Sequence, residues 1–223
     1  MRRYSGRRLI AAPASVRAHL NYAHALGARG DYHGAAQTLT RATGVAPRVP
    51  VLHLRLVDAL RRTGRGVAEL EHYQTAARLN PEIAEAWVGF GTTALSLSHD
   101  EAAEQALVRA STMLPGNPTV LNQLGVAYHK QGKFGDAQEA FRAAIQKNGR
   151  NPHLYFNLGV ALAVDHKNRQ AAVAFESALQ IQPGFAPAHQ SLAQVYEKLG
   201  DMDRAHTHRK VGDTVPSIYT GSG

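Results

Sequence analysis

Large apolar residues recur along most of the chain at steps of three, four and seven. One stretch reads Leu121, Leu124 and Tyr128, then Phe134, Phe141 and Ile145. The next reads Tyr155, Leu158 and Leu162, then Val173, Phe175 and Leu179. Such steps gather side chains on one stripe of an α-helix and leave polar positions on the other side. Period-two alternation is missing, so strands have no support. Short breakers separate paired stripes: Gly30-Asp31, Gly64-Arg65-Gly66, Gly132-Lys133 and Gly200-Asp201. Their glycines supply the backbone freedom of a tight helix-to-helix turn. Pro47, Pro81, Pro115 and Pro183 follow the second stripes, where proline stops one helix and pre-sets the next. The pattern predicts a chain of helical hairpins.

The hairpins keep a fixed register of 34 residues. Counting from Val16, the eighth place reads Ala23, Val57, Gly91, Gly125, Gly159 and Ala193. The twentieth reads Ala35, Glu69, Ala103, Ala137, Ala171 and Ala205, and the twenty-seventh Ala42, Ala76, Ala110, Ala144, Ala178 and Gly212. Six units follow without insertion: 16–49, 50–83, 84–117, 118–151, 152–185 and 186–219, leaving 1–15 before them and a tail at 220–223. Small residues at the eighth and twentieth places let the two helices of a unit approach closely, and the twenty-seventh does so toward the next unit. One hairpin cannot bury its own stripe, so stability must come from stacking neighbours.

These residues resemble the tetratricopeptide repeat family over nearly the whole chain. The third unit matches its pattern through Trp87, Phe90, Gly91, Ala103, Leu107, Ala110 and Pro115, the fourth through Leu121, Leu124, Gly125, Tyr128, Ala137, Phe141 and Ala144. The resemblance implies an all-α, right-handed α-solenoid of six helix-turn-helix repeats whose first helices line a concave groove for an extended peptide or partner helix. Groove positions then include Asn21, His24, Arg55, Asp58, Arg62, Thr92, Asn122, Gln123, Asn157, Gln190 and Gln194. Arg17, Arg61 and Phe156 share that face. Amides suit this role because they donate to and accept from a peptide backbone. The lysine and asparagine set with which some members grip a terminal carboxylate is not reproduced in any window. Two departures carry structural expectations. Glu69 replaces the twentieth-place alanine, which predicts a rotated or loosened second helix in that unit. In the last unit Arg209 stands where Leu107, Phe141 and Phe175 stand earlier and Ser217 replaces the closing proline, so His206, His208, Arg209 and Lys210 are expected on a polar capping face.

Charge and chemistry narrow the function. The net charge of +8 is uneven: four arginines (Arg2, Arg3, Arg7 and Arg8) and no acidic residue precede the repeats, while the six units carry +3, +1, −3, +3, 0 and 0. The leader reads as a flexible basic segment; the alternative is an arm for phosphate, anionic lipid or an acidic surface. Arg55, Arg61, Arg62 and Arg65 form a local basic cluster, mostly on one helix. A nucleic-acid-binding solenoid is the rival reading, but the acidic third unit and the neutral last two interrupt a positive track. There is no cysteine, hence no disulfide or thiolate site, and this is compatible with cytoplasm or periplasm. Among twelve histidines, His19, His53 and His189 occupy the fourth place of a unit, a packing slot, so no metal and no cofactor are expected. No nucleophile–base order or phosphate loop emerges. The expectation is a non-catalytic adaptor for a protein partner. A self-associating scaffold is the further alternative.

Overall fold

The computed structural model describes residues 16–64 and 66–214. Among them are twelve α-helices and no strand. The first helices of the six units are α1 (Val16–Ala28), α3 (Pro50–Arg61), α5 (Ala84–Ser96), α7 (Pro118–Lys130), α9 (Pro152–Val164) and α11 (Ala186–Lys198). The second helices are α2 (Tyr32–Val45), α4 (Gly66–Leu79), α6 (Asp100–Met113), α8 (Phe134–Lys147), α10 (Asn168–Ile181) and α12 (Met202–Thr214). Every first helix starts at the first place of its 34-residue unit and every second helix at the seventeenth. The register read from small residues is therefore the register of the backbone.

Local chemistry sets these boundaries. Pro50, Pro118 and Pro152 open α3, α7 and α9, where a missing N–H costs nothing. Asp31 caps α2 by accepting from the Gly34 N–H at 2.8 Å, and Asn117 caps α7 from Thr119 and Val120. The turn inside each unit takes a left-handed residue at the fifteenth place: Gly30, Gly64, Gly132 and Gly200 at φ 74–81°, and Ser98 and His166 at φ 59°. The breakers expected from glycine alone therefore miss two turns, which Ser98 and His166 make with side chains that strain this conformation.

The described residues form two compact units, which divide between Met113 and Leu114. In the first, α1 to α6 pack consecutively, and α1 also touches α3. In the second, α7 to α12 do the same, with α7 against α9 and α9 against α11. The first helices α1 and α3, and α7, α9 and α11, thus lie side by side. Between helices, small residues face large ones. A Cβ on Gly125 would stand 2.6 Å from the Phe141 ring, one on Gly159 2.6 Å from Phe175, and one on Gly91 2.5 Å from Leu107. Phe141, Phe175 and Leu107 are buried there, as are Ala137, Ala144, Ala171 and Ala178.

Repeat-to-repeat joints use a second device. The fourth-place side chain bonds the carbonyl of the proline that closes the previous unit: His53 Nε2 to Pro47 O, Trp87 Nε1 to Pro81 O and His189 Nε2 to Pro183 O, each at 2.9 Å. His19, His53 and His189 are buried. Burial explains why these histidines pack instead of facing solvent.

Helix α4 is in phase with its counterparts, so the rotation expected from Glu69 is absent; Glu69 is buried at the place the alanines hold elsewhere, beside a cation. Its carboxylate lies 3.6 Å from Arg61 Nε, and Arg61 also donates to the Tyr73 hydroxyl. Nor do the four capping residues of α12 share one solvated face. His208 turns inward, bonds His189 and stacks on Tyr196, while His206, Arg209 and Lys210 remain exposed and Arg209 pairs with Glu197. Ser217 lies outside the described residues.

Candidate functional site

The first compact unit holds a cavity of about 530 Å³ beside α1, α2 and α3. Five of the residues expected in the groove line it: Asn21, His24, Arg55, Asp58 and Arg62. Helical spacing explains the convergence. Asn21 and His24 are three apart on α1, and Arg55 and Asp58 on α3 are followed after four residues by Arg62, the helical-conformation cap of α3, so each set forms one stripe. The floor is apolar, from Ala23, Ala35, Leu39 and Ala59, which are buried, with Leu20 and Val51 at the sides. The small residues that permit close helix packing thus also leave room above themselves.

Polar groups rim this floor. Arg55 Nη1 donates to Asp58 Oδ2 at 3.1 Å, an exposed pair one turn apart. Arg62 sits beyond the end of α3 with its guanidinium 5.5 Å from the centre of the Tyr32 ring. No carboxylate among the described residues pairs with it. Asn21 and His24 are exposed, and their side chains make no hydrogen bond to the described residues. Sequence reasoning did not single out Tyr32; its place as the first residue of α2, over which Arg62 lies, is the signal that tertiary packing supplies.

Not every expected groove residue joins. Arg61, one residue before Arg62, turns toward α4 and is committed to Glu69 and Tyr73. The basic cluster is therefore divided: Arg55 faces Asp58, Arg61 faces Glu69, and Arg62 faces Tyr32. Arg65 lies outside the described residues. Thr92 is exposed on α5, and its hydroxyl donates to Val88 O at 2.7 Å.

The second compact unit treats its groove residues differently. Asn157 Nδ2 donates to Asn122 Oδ1 at 2.9 Å, so the amides of α7 and α9 are joined to each other. Gln123 is half-buried beside them. Phe156, on the same face of α9, packs against Phe175 and Phe185 with ring centres 5.7 and 5.2 Å away. Gln190 and Gln194 are exposed on α11, and the Gln190 side chain runs beside Gly212 of α12. A shallower cleft of about 400 Å³ near α10 and the α11–α12 turn is rimmed by groups that satisfy one another. There the Tyr196 hydroxyl donates to Glu176, and Arg204 bonds Tyr196 at 3.0 Å and Asp201 at 2.6 Å.

Titratable groups in the helix interfaces are tuned by burial. His72 and His208 are held below the ordinary histidine value first by burial and then by the facing His53 and His189. Among the described residues no three His, Asp or Glu side chains are grouped to hold a metal ion, and no helix is long and apolar enough to cross a membrane.

A family model described as the C-terminal domain of cilia and flagella-associated protein 70, a tetratricopeptide-repeat domain, matches residues 3–212. The chain belongs to this tetratricopeptide-repeat family. Among its relatives, the tetratricopeptide repeat-containing protein YpiA of Bacillus subtilis (strain 168) is 24% identical over 153 residues, 69% of this chain and 36% of that protein. The anaphase-promoting complex subunit CDC16 of Saccharomyces cerevisiae (strain ATCC 204508 / S288c) is 25% identical over 151 residues, 64% of this chain and 18% of that protein. The chain thus spans well under half the length of these relatives. Solved repeat structures share its fold. A crystal structure of MamA aligns with TM-score 0.67 at 24% identity, covering 70% of this chain and 92% of that one. YrrB, described as a tetratricopeptide-repeat protein with an unusual peptide-binding site, aligns with TM-score 0.67 at 18% identity, covering 82% and 95%.

Proposed function

We propose that this chain is a protein-interaction adaptor that receives an extended peptide or helix of a partner against its first helices, within a larger assembly. The observation that carries the reading is the cavity over α1 and α3: five groove residues from two repeats meet around an apolar floor. Such a floor takes an apolar side chain out of water, while Asn21, His24 and Arg62 orient the segment that carries it. The description of YrrB as having a peptide-binding site, and that of a peroxisomal targeting signal receptor of Candida glabrata, 24% identical over 110 residues, support binding of protein segments by repeats of this kind. The rival reading, a nucleic-acid solenoid, is weakened by the division of its basic cluster among Asp58, Glu69 and Tyr32.

The test is capture of partners from the native cell by the wild-type chain and by the Asn21→Ala/His24→Ala/Arg62→Ala variant. These side chains are exposed, so the thermal midpoint should hold within a degree or two, while one or more partners are lost. A partner profile identical for both proteins would remove the cavity from the binding surface. Sedimentation over a wide concentration range decides the self-associating alternative.

A further inference from the structure

Resting on the reading of the cavity as a partner site, we infer that its occupant is an acidic protein segment, presenting a carboxylate side chain to Arg62 beside a short aliphatic side chain on the floor. Three arginines lie on α3 or at its C-terminal end, and two have acidic partners: Arg55 with Asp58 and Arg61 with Glu69. Arg62 alone of the three has a ring in place of a carboxylate, the Tyr32 face at 5.5 Å. Stacking restrains the guanidinium and leaves its in-plane donors for a planar acceptor, which a carboxylate matches with two hydrogen bonds. Asn21 and His24, across the cavity on α1, can bond the backbone on either side of that residue. The floor below is made of alanines and Leu39, a surface that a branched aliphatic side chain covers without the depth a large ring needs.

The charge of the surrounding repeats has the matching sign, +3 and +1 in the first two units. Two other occupants fit less well. Residues 1–15 of this chain carry four arginines and no acid, the wrong sign for Arg62. A nucleic-acid strand would find the Tyr32 face, on which a base would stack, already covered by Arg62.

The experiment is selection of a random dodecapeptide display library on the full chain and, separately, on its Arg62→Glu variant. The wild type should enrich peptides with Asp or Glu next to Val, Leu or Ile; the variant should lose them and enrich Lys or Arg. A synthetic wild-type-selected peptide should bind about ten-fold more weakly when its acidic residue is replaced by the amide, and equally so to Arg62→Ala, with Arg62→Lys between. Selected peptides that depend on Asn21 and His24 but show no acidic preference overturn this inference and leave the cavity reading standing. Peptides insensitive to Asn21→Ala/His24→Ala and Arg62→Ala alike, or no enriched peptide, overturn both. Displacement of the bound peptide at physiological salt by single-stranded RNA, or by a synthetic copy of residues 1–15, assigns the cavity to those occupants instead. Circular-dichroism melts of each variant keep lost binding separate from lost folding.

Discussion

His53 and His72 meet Nδ1 to Nδ1 at 3.1 Å, and four repeats later His189 and His208 meet in the same way at 2.9 Å. The outer nitrogens decide who donates. Nε2 of His53 and of His189 faces a proline carbonyl, which can only accept, so each of these rings carries its proton on Nε2 and offers Nδ1 as acceptor. His72 and His208 must then donate from Nδ1.

That arrangement makes stability depend on pH. Burial and the facing imidazole hold His72 and His208 below 6.5, with Glu71 opposing at the first, Glu176 opposing and Arg204 reinforcing at the second. The unfolded chain therefore binds more protons than the native one as pH falls through 6.5, so stability is full above that value and declines below it. The thermal midpoint should be flat from pH 8 to 7 and fall toward pH 5. In the His72→Asn/His208→Asn variant an amide N–H can replace the Nδ1 donor but does not titrate, so the decline should become shallower. An unchanged slope would show that other groups govern it.

Close contact between the eighth and twenty-fourth places sets packing tolerance. Gly125→Ala pushes a Cβ into the Phe141 ring, which is buried and cannot retreat, so urea denaturation should show a loss of about 1–3 kcal/mol. Phe141→Ala should cost more, about 3–5 kcal/mol, through the cavity it leaves. Gly135, with nothing near its missing Cβ, is the control, and Gly135→Ala should be neutral or stabilising.

Ser98 and His166 occupy the left-handed position that glycine takes in the other four units. Ser98→Gly and His166→Gly should each raise stability by up to about 1 kcal/mol, relief of strain being partly offset by the greater freedom of glycine in the unfolded chain. A loss of similar size in chemical denaturation would mean that these side chains hold their turns by contacts outweighing the strain.

Arg61 and Glu69 form an asymmetric pair, the arginine side chain more than half exposed and the glutamate nearly buried. Arg61→Ala leaves a buried carboxylate without its cation and should cost about 1–3 kcal/mol. Glu69→Ala restores the residue found at this place in the other units and leaves an arginine that water can solvate, so it should cost less. In a double-mutant cycle, Arg61→Ala/Glu69→Ala should be more stable than Arg61→Ala alone.

The course of the backbone was legible in the amino-acid order because repetition multiplies a weak signal. Ala35, Ala103, Ala137 and Ala171 say little singly, but in phase they mark where two helices touch, and the helix starts follow that phase without drift. Side-chain destinations were not legible in the same way. Arg61 and Arg62 are neighbours in one cluster, yet one reaches into the hairpin and the other lies over Tyr32. Asn122 and Asn157 stand at neighbouring places of successive units, the fifth and the sixth, yet bond each other instead of facing outward freely.

The difference is physical. Helix formation and hairpin spacing depend on local backbone preference and on a stripe that any stacked neighbour can bury, so the linear sequence determines them. Which arginine keeps its donors available, which histidines share a proton and where an apolar floor stays uncovered depend on groups brought together from three helices. Only the packed tertiary structure decides those, because each charge takes the nearest partner that folding delivers.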